Sequence, residues 1–145
     1  MNTPQPKNIL VITHGIPHPH RGASSVVFFW YIFGLKSTGH RILHMVLDSQ
    51  WTGKEHDLND YKQAIEEGTH FRVIYEALRA TQAFSYRKFA LEPVLPSTGA
   101  VSEIRNFSPD ATLCFDIVAA AVAKKLELPK LLIWLGDLAY QTGLY

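Results

Sequence analysis

Residues 8–13 (NILVIT) are β-branched and almost continuously apolar, the pattern of a strand covered on both faces inside a parallel sheet. The glycines and prolines of the next stretch, 14–22 (HGIPHPHRG), cannot continue a strand or sit in a helix interior, so they predict a loop. A helix then runs to Ser37, with Ser24 or Ser25 able to cap it and Gly39 ending it. Its side chains are apolar nearly all round (VVFFWYIFGL), which implies cover on more than one side. Residues 41–47 (RILHMVL) predict a second strand. The polar stretch 48–68 predicts a loop and a short helix in its later part, LNDYKQAIEEG. Residues 71–75 (FRVIY) predict a third strand, and 76–91 have the composition of a helix that Pro93 and Pro96 break.

The alternation then repeats. A helix is expected over 99–107, ending before the turn Ser108-Pro109-Asp110. A strand follows at 111–115 (ATLCF), then an alanine-rich helix over 117–126, and a strand at 131–135 after Pro129. Strands and helices in this order predict an α/β fold, a Rossmann-like parallel sheet with helices on both faces and right-handed crossovers. The chain reaches Gly143-Leu144-Tyr145 soon after the last predicted strand, with no closing helix visible. The expectation is therefore one Rossmann-like domain over residues 1–145, itself incomplete.

Composition narrows the function classes. The 145 residues are 47% hydrophobic, enough to bury one core. Fourteen basic residues against thirteen acidic ones leave a formal charge of +1, without the electrostatic footprint of a nucleic-acid groove. The single cysteine, Cys114, lies in an apolar run, which excludes an internal disulfide, fits a reducing compartment and reads as a core residue. Residues 1–7 lack the layout of a secretory signal, so the expected location is the cytoplasm. The longest apolar run, 26–35, is about half the roughly 20 residues a membrane-crossing helix needs.

In an open parallel sheet, ligands bind outside the carboxyl ends of the strands, where the strand order reverses. Three segments of this chain are expected there: the loop 14–25, Asp116 after the fourth strand, and Gly136-Asp137 after the fifth. The first loop brings Gly22-Ala23-Ser24-Ser25 to a helix start, where open backbone N–H groups and the helix dipole favour a diphosphate. Arg21 could add a charge-assisted donor or be an ordinary solvated arginine, and Gly22 could merely turn the chain. Neither a dinucleotide fingerprint nor a P-loop occurs. His14 is the histidine that topology places at the crevice, while His18 and His20 are expected to face solvent; their spacing is a poor match to a metal site. Asp116 could bind a sugar hydroxyl or cap the helix that begins directly after it. Asp137 has no evident helix to cap.

The stretches NILVITHGIPHPHRGASSVVFFWYIFGLKSTGHRILHMVL and FSPDATLCFDIVAAAVAKKLELPKLLIWLGDL resemble the amino-terminal, subfamily-four-like domain of group-one, retaining GT-B glycosyltransferases. Gly39-His40, Pro109-Asp110 and Leu128-Pro129 match landmarks of that family. The resemblance implies transfer of a sugar from a nucleotide-diphosphate donor to a glycan, lipid-linked or small-molecule acceptor, without a metal or a cofactor. It assigns Gly22-Ala23-Ser24 to the donor diphosphate and the domain as a whole mainly to the acceptor, and the residues' own chemistry adds Arg21 as a candidate phosphate donor and Asp116 as a candidate on the acceptor side. Many relatives carry a histidine after the fifth strand where this chain has Gly136-Asp137, so either Asp137 or His14 takes the catalytic role or the subfamily differs there. The carboxyl-terminal half that holds the donor in this family has no counterpart in these residues, so this portion alone is expected to be inactive. A peripheral location at the inner membrane face stays open.

Two rivals remain. One is a non-catalytic binding module docking through Trp30, Tyr31 and Phe33; the other is a small hydrolase or metal enzyme built on the histidine loop, against which stands the absence of a Gly-x-Ser-x-Gly elbow.

Overall fold

The computed structural model describes residues 5–48, 55–77, 92–93 and 95–134. Strand β1 (Asn8–His14) is followed by helix α1 (Ala23–Leu35), a 3-10 turn (Lys36–Thr38), β2 (Arg41–Asp48), α2 (Glu55–Glu66) and β3 (Phe71–Ala77). Helix α3 (Thr98–Phe107), β4 (Ala111–Phe115), α4 (Ile117–Lys125) and β5 (Leu131–Trp134) complete the described elements. The five strands pair in parallel in the order β3-β2-β1-β4-β5. This is the α/β, Rossmann-like arrangement that the alternation predicts, and its order reverses between β1 and β4.

Because side chains alternate along a strand, each inner strand contributes to two cores. Val11, Ile42, Val46, Val73, Leu113 and Phe115 meet Phe28, Phe29 and Ile32 of α1 and Tyr61 and Ile65 of α2 on one face. On the other face Leu10, Ile12, Leu43, Met45 and Cys114 meet Ile104 of α3 and Val118, Ala119, Val122 and Ala123 of α4. Cys114 is a buried core residue, its thiol pushed up to about 12 by burial and by the charge of Asp116.

Several local expectations are corrected. Neither Ser24 nor Ser25 caps α1: the N-cap is Gly22, without a side-chain bond, and the Ser25 hydroxyl donates instead to the Ile16 carbonyl at 3.0 Å. The tertiary contact between loop and helix takes the group that local sequence offered to the cap. Nor does α1 have the expected cover on more than one side: Phe28, Phe29 and Ile32 are buried, and Val27, Trp30, Tyr31 and Phe33 are exposed. Periodicity cannot report this in a helix whose sides are all apolar. Glu76 and Ala77 extend β3 by pairing with Leu47 and Asp48 where a helix was expected, and 78–91 lie outside the described residues. Gly39 does end the α1 segment, in the left-handed conformation at φ 73°.

The landmark Pro109-Asp110 has a structural use. The Asp110 carboxylate accepts the Asn8 N–H at 2.9 Å, and the Asn8 carbonyl accepts the Asp110 N–H at 2.7 Å. The two strands flanking the order reversal are thus aligned at their starts, which sets where their carboxyl ends emerge. Among the described residues no helix is long and apolar enough to cross a membrane.

Candidate functional site

Aligned at their starts, β1 and β4 deliver His14 and Asp116 side by side at the order reversal. His14 Nδ1 lies 3.9 Å from Asp116 Oδ2, with both side chains largely shielded. The other carboxylate oxygen of Asp116 accepts the N–H groups of Val118 at 2.8 Å and Ala119 at 3.0 Å, capping α4. The residue therefore serves as the cap that the adjoining helix suggested, with one oxygen left over on the His14 side.

Two features set Asp116 apart from an ordinary cap. Its backbone has φ 89° and ψ 172°, a region that side chains with a Cβ rarely enter and that costs on the order of 1–3 kcal/mol. Burial also pushes its carboxyl up to about 7, against the opposing pull of the Ala119 and Val118 N–H bonds. A strained, desolvated carboxyl at the mouth of a parallel sheet is fit for proton exchange near neutrality.

The loop between β1 and α1 is held at several points. Gly15, at φ 90°, donates its N–H to the Leu47 carbonyl at 2.6 Å, and the His18 N–H reaches the Ser25 carbonyl at 3.3 Å. Gly22 turns the chain into α1 at φ 73°, ψ 134°, and exposed Gly22 and Ala23, with half-buried Ser24, present the helix start to solvent. The first turn of α1 carries no acidic side chain, so its dipole is uncompensated there. Arg21 is exposed and pairs loosely with Asp57 at 3.4 Å.

His14, Asp116 and the loop bearing Arg21, Gly22, Ala23 and Ser24 accordingly all sit at the carboxyl end of the sheet, whereas Asp137 lies outside the described residues. Of the remaining histidines in the loop, His20 is exposed and His18 half-buried, its Nδ1 accepting the His20 N–H at 3.0 Å. Among the described residues no group of three or more His, Cys, Asp or Glu side chains is arranged to hold a metal ion.

Sequence reasoning passed over three residues beneath this loop. Thr13, His44 and Tyr61 are buried, and His44 links the other two: its Nε2 is 2.9 Å from Thr13 Oγ1 and its Nδ1 is 2.7 Å from Tyr61 Oη. The signal was a histidine interrupting the apolar RILHMVL strand, which needs a partner wherever its side chain points inward. Burial lowers its pKa to about 3, so the ring is neutral. A buried ring nitrogen left unpaired would cost about 1–3 kcal/mol, which makes the pairing at both ends structurally significant.

No family model matches the chain, and no curated protein is similar to it in sequence.

Proposed function

We propose that this chain is the acceptor-side, Rossmann-like domain of a glycosyltransferase that moves a sugar from a nucleotide-diphosphate donor to a hydroxyl-bearing acceptor. The observation that carries the reading is the pairing of His14 with a strained, desolvated Asp116 at the order reversal, beside a glycine-turned helix start. In this reading the N–H groups at Gly22, Ala23 and Ser24 stabilise charge growing on the departing diphosphate, with Arg21 exchanging Asp57 for a phosphate oxygen. His14 hydrogen-bonds the acceptor hydroxyl, and Asp116 orients the ring and balances its charge. Glycan and lipid-linked acceptors both supply such a hydroxyl, and a place at the cytoplasmic membrane face would suit the latter.

The test is release of nucleoside diphosphate from a panel of nucleotide-sugars, comparing the whole gene product with residues 1–145. Donor-dependent release by the whole product, reduced about 100-fold or more by His14→Ala and by Asp116→Asn, is the expected result. Release that ignores both substitutions, or none with any donor, overturns the assignment.

One observation favours a second reading as a binding module. The outward arc of α1 (ASSVVFFWYIFGL) has no charged residue, and Trp30 and Tyr31 are 53% and 55% exposed. Such an apolar surface marks a docking face.

A further inference from the structure

We propose that His44 is a positioning residue for the crevice loop, locked as its Nε2–H tautomer in a directed hydrogen-bond chain that runs from Tyr61 through Thr13 to the Gly15 carbonyl. The direction follows from what each atom can do. Thr13 Oγ1 lies 3.0 Å from the Gly15 carbonyl, which can only accept, so the single hydroxyl proton of Thr13 is committed to it. The same oxygen must then accept at its 2.9 Å contact with His44, which puts the ring proton on Nε2. His44 Nδ1 is left bare and accepts from the Tyr61 hydroxyl at 2.7 Å. No other distribution of protons satisfies all three contacts with a neutral ring.

The chain crosses three elements, α2 through Tyr61, β2 through His44 and β1 through Thr13, and ends where the loop leaves the sheet. Gly15 is the first residue past β1 and follows His14 directly. Fixing its carbonyl sets the plane of the peptide through which the chain turns away from the sheet, at a residue held at φ 90°. The register supports this. Thr13 pairs with Val46 and His44 with Val11, so both side chains point to the α1 and α2 face, beneath the loop. Asp57, one helical turn before Tyr61, meets Arg21 at the far end of the same loop, so α2 tethers both ends. That the loop contacts a ligand rests on the transferase reading, but the tether itself does not.

Two measurements test the tether without requiring transferase activity. The first is ring nitrogen NMR of His44 in the unmodified protein, where an Nε2–H signature is expected and an Nδ1–H or charged ring at neutral pH overturns the proposal. The second is amide hydrogen exchange in Thr13→Val, which keeps shape and loses the hydroxyl. Exchange at Gly15, Ile16 and His18 should rise about fivefold, the factor that losing one net hydrogen bond gives, and return toward the unmodified rate in Thr13→Ser. Unchanged loop exchange, or equal acceleration at Leu113 and Cys114 in β4, would show that Thr13 is an ordinary core residue.

Discussion

At the scale of single residues, two buried titratable groups bend stability with pH in opposite directions. The Asp116 carboxyl rises from 3.8 unfolded to about 7 folded because burial disfavours its charge. Its contribution is complete below pH 3.8 and is lost as pH rises through 7. His44 falls from 6.5 to about 3 through burial, so its contribution is complete above pH 6.5 and is lost as pH falls toward 3. Asparagine at 116 preserves a capping oxygen and cannot ionise. In urea unfolding at a series of pH values, Asp116→Asn should therefore gain stability relative to the unmodified protein between pH 4 and 7. Parallel pH profiles for the two proteins would show that the carboxyl is not desolvated. The same substitution lays bare the His44 slope, with stability rising as pH increases from 3 to 6.5.

At the scale of elements, the start of α1 depends on its backbone and that of α3 on a side chain. Ser97 Oγ accepts the Ala100 N–H at 3.2 Å and opens α3 in the ordinary way. Helix α1 begins from Gly22 at φ 73°, ψ 134°, and an added Cβ would lie 3.4 Å from that of Ser25. The space is tolerable, so the penalty for a side chain comes from the backbone angle. Gly22→Ala should cost about 1–3 kcal/mol in urea unfolding. A cost near zero would mean that the loop readily finds another path into the helix. Under the transferase proposal, donor-dependent release measured on the same variant would separate a turn from a diphosphate contact, because a mere turn loses stability without losing turnover of the folded protein.

At the scale of the whole molecule, the two faces of the sheet are unequally finished. Both faces leave apolar side chains of β5 exposed, Leu132 on the α1 and α2 side and Leu131 and Ile133 on the other, but the α1 and α2 side also leaves the outer arc of α1 open. Tyr31 touches Phe115, and Phe28 and Phe115 both touch Trp134, so aromatic packing continues from α1 to β5. An apolar surface of this kind drives association. Light scattering should show concentration-dependent association that the double substitution Trp30→Ser, Tyr31→Ser reduces. Association unchanged by that substitution would place the contact elsewhere.

The sequence by itself determined the α/β class, most strand positions and the helix stop at Gly39, because apolar runs, periodicity and glycine conformation are local properties. It also made Asp116 legible as a cap, since the alanine-rich helix starts at the next residue. Only the tertiary structure decided that His14 stands beside Asp116, which are 102 positions apart. That meeting depends on strand order and register, and no local pattern encodes which strands become neighbours. The same holds for the partners of His44: a histidine inside the apolar RILHMVL strand signals that a partner is needed, but only the fold brings Thr13 and Tyr61 to it. Ser25 shows the converse: local chemistry favoured a cap, and a tertiary hydrogen bond to Ile16 claimed its hydroxyl. The binding-module alternative names Trp30, Tyr31 and Phe33 as a surface, but only the tertiary structure decided that they are exposed, because a helix apolar on every side does not declare which side the sheet will cover.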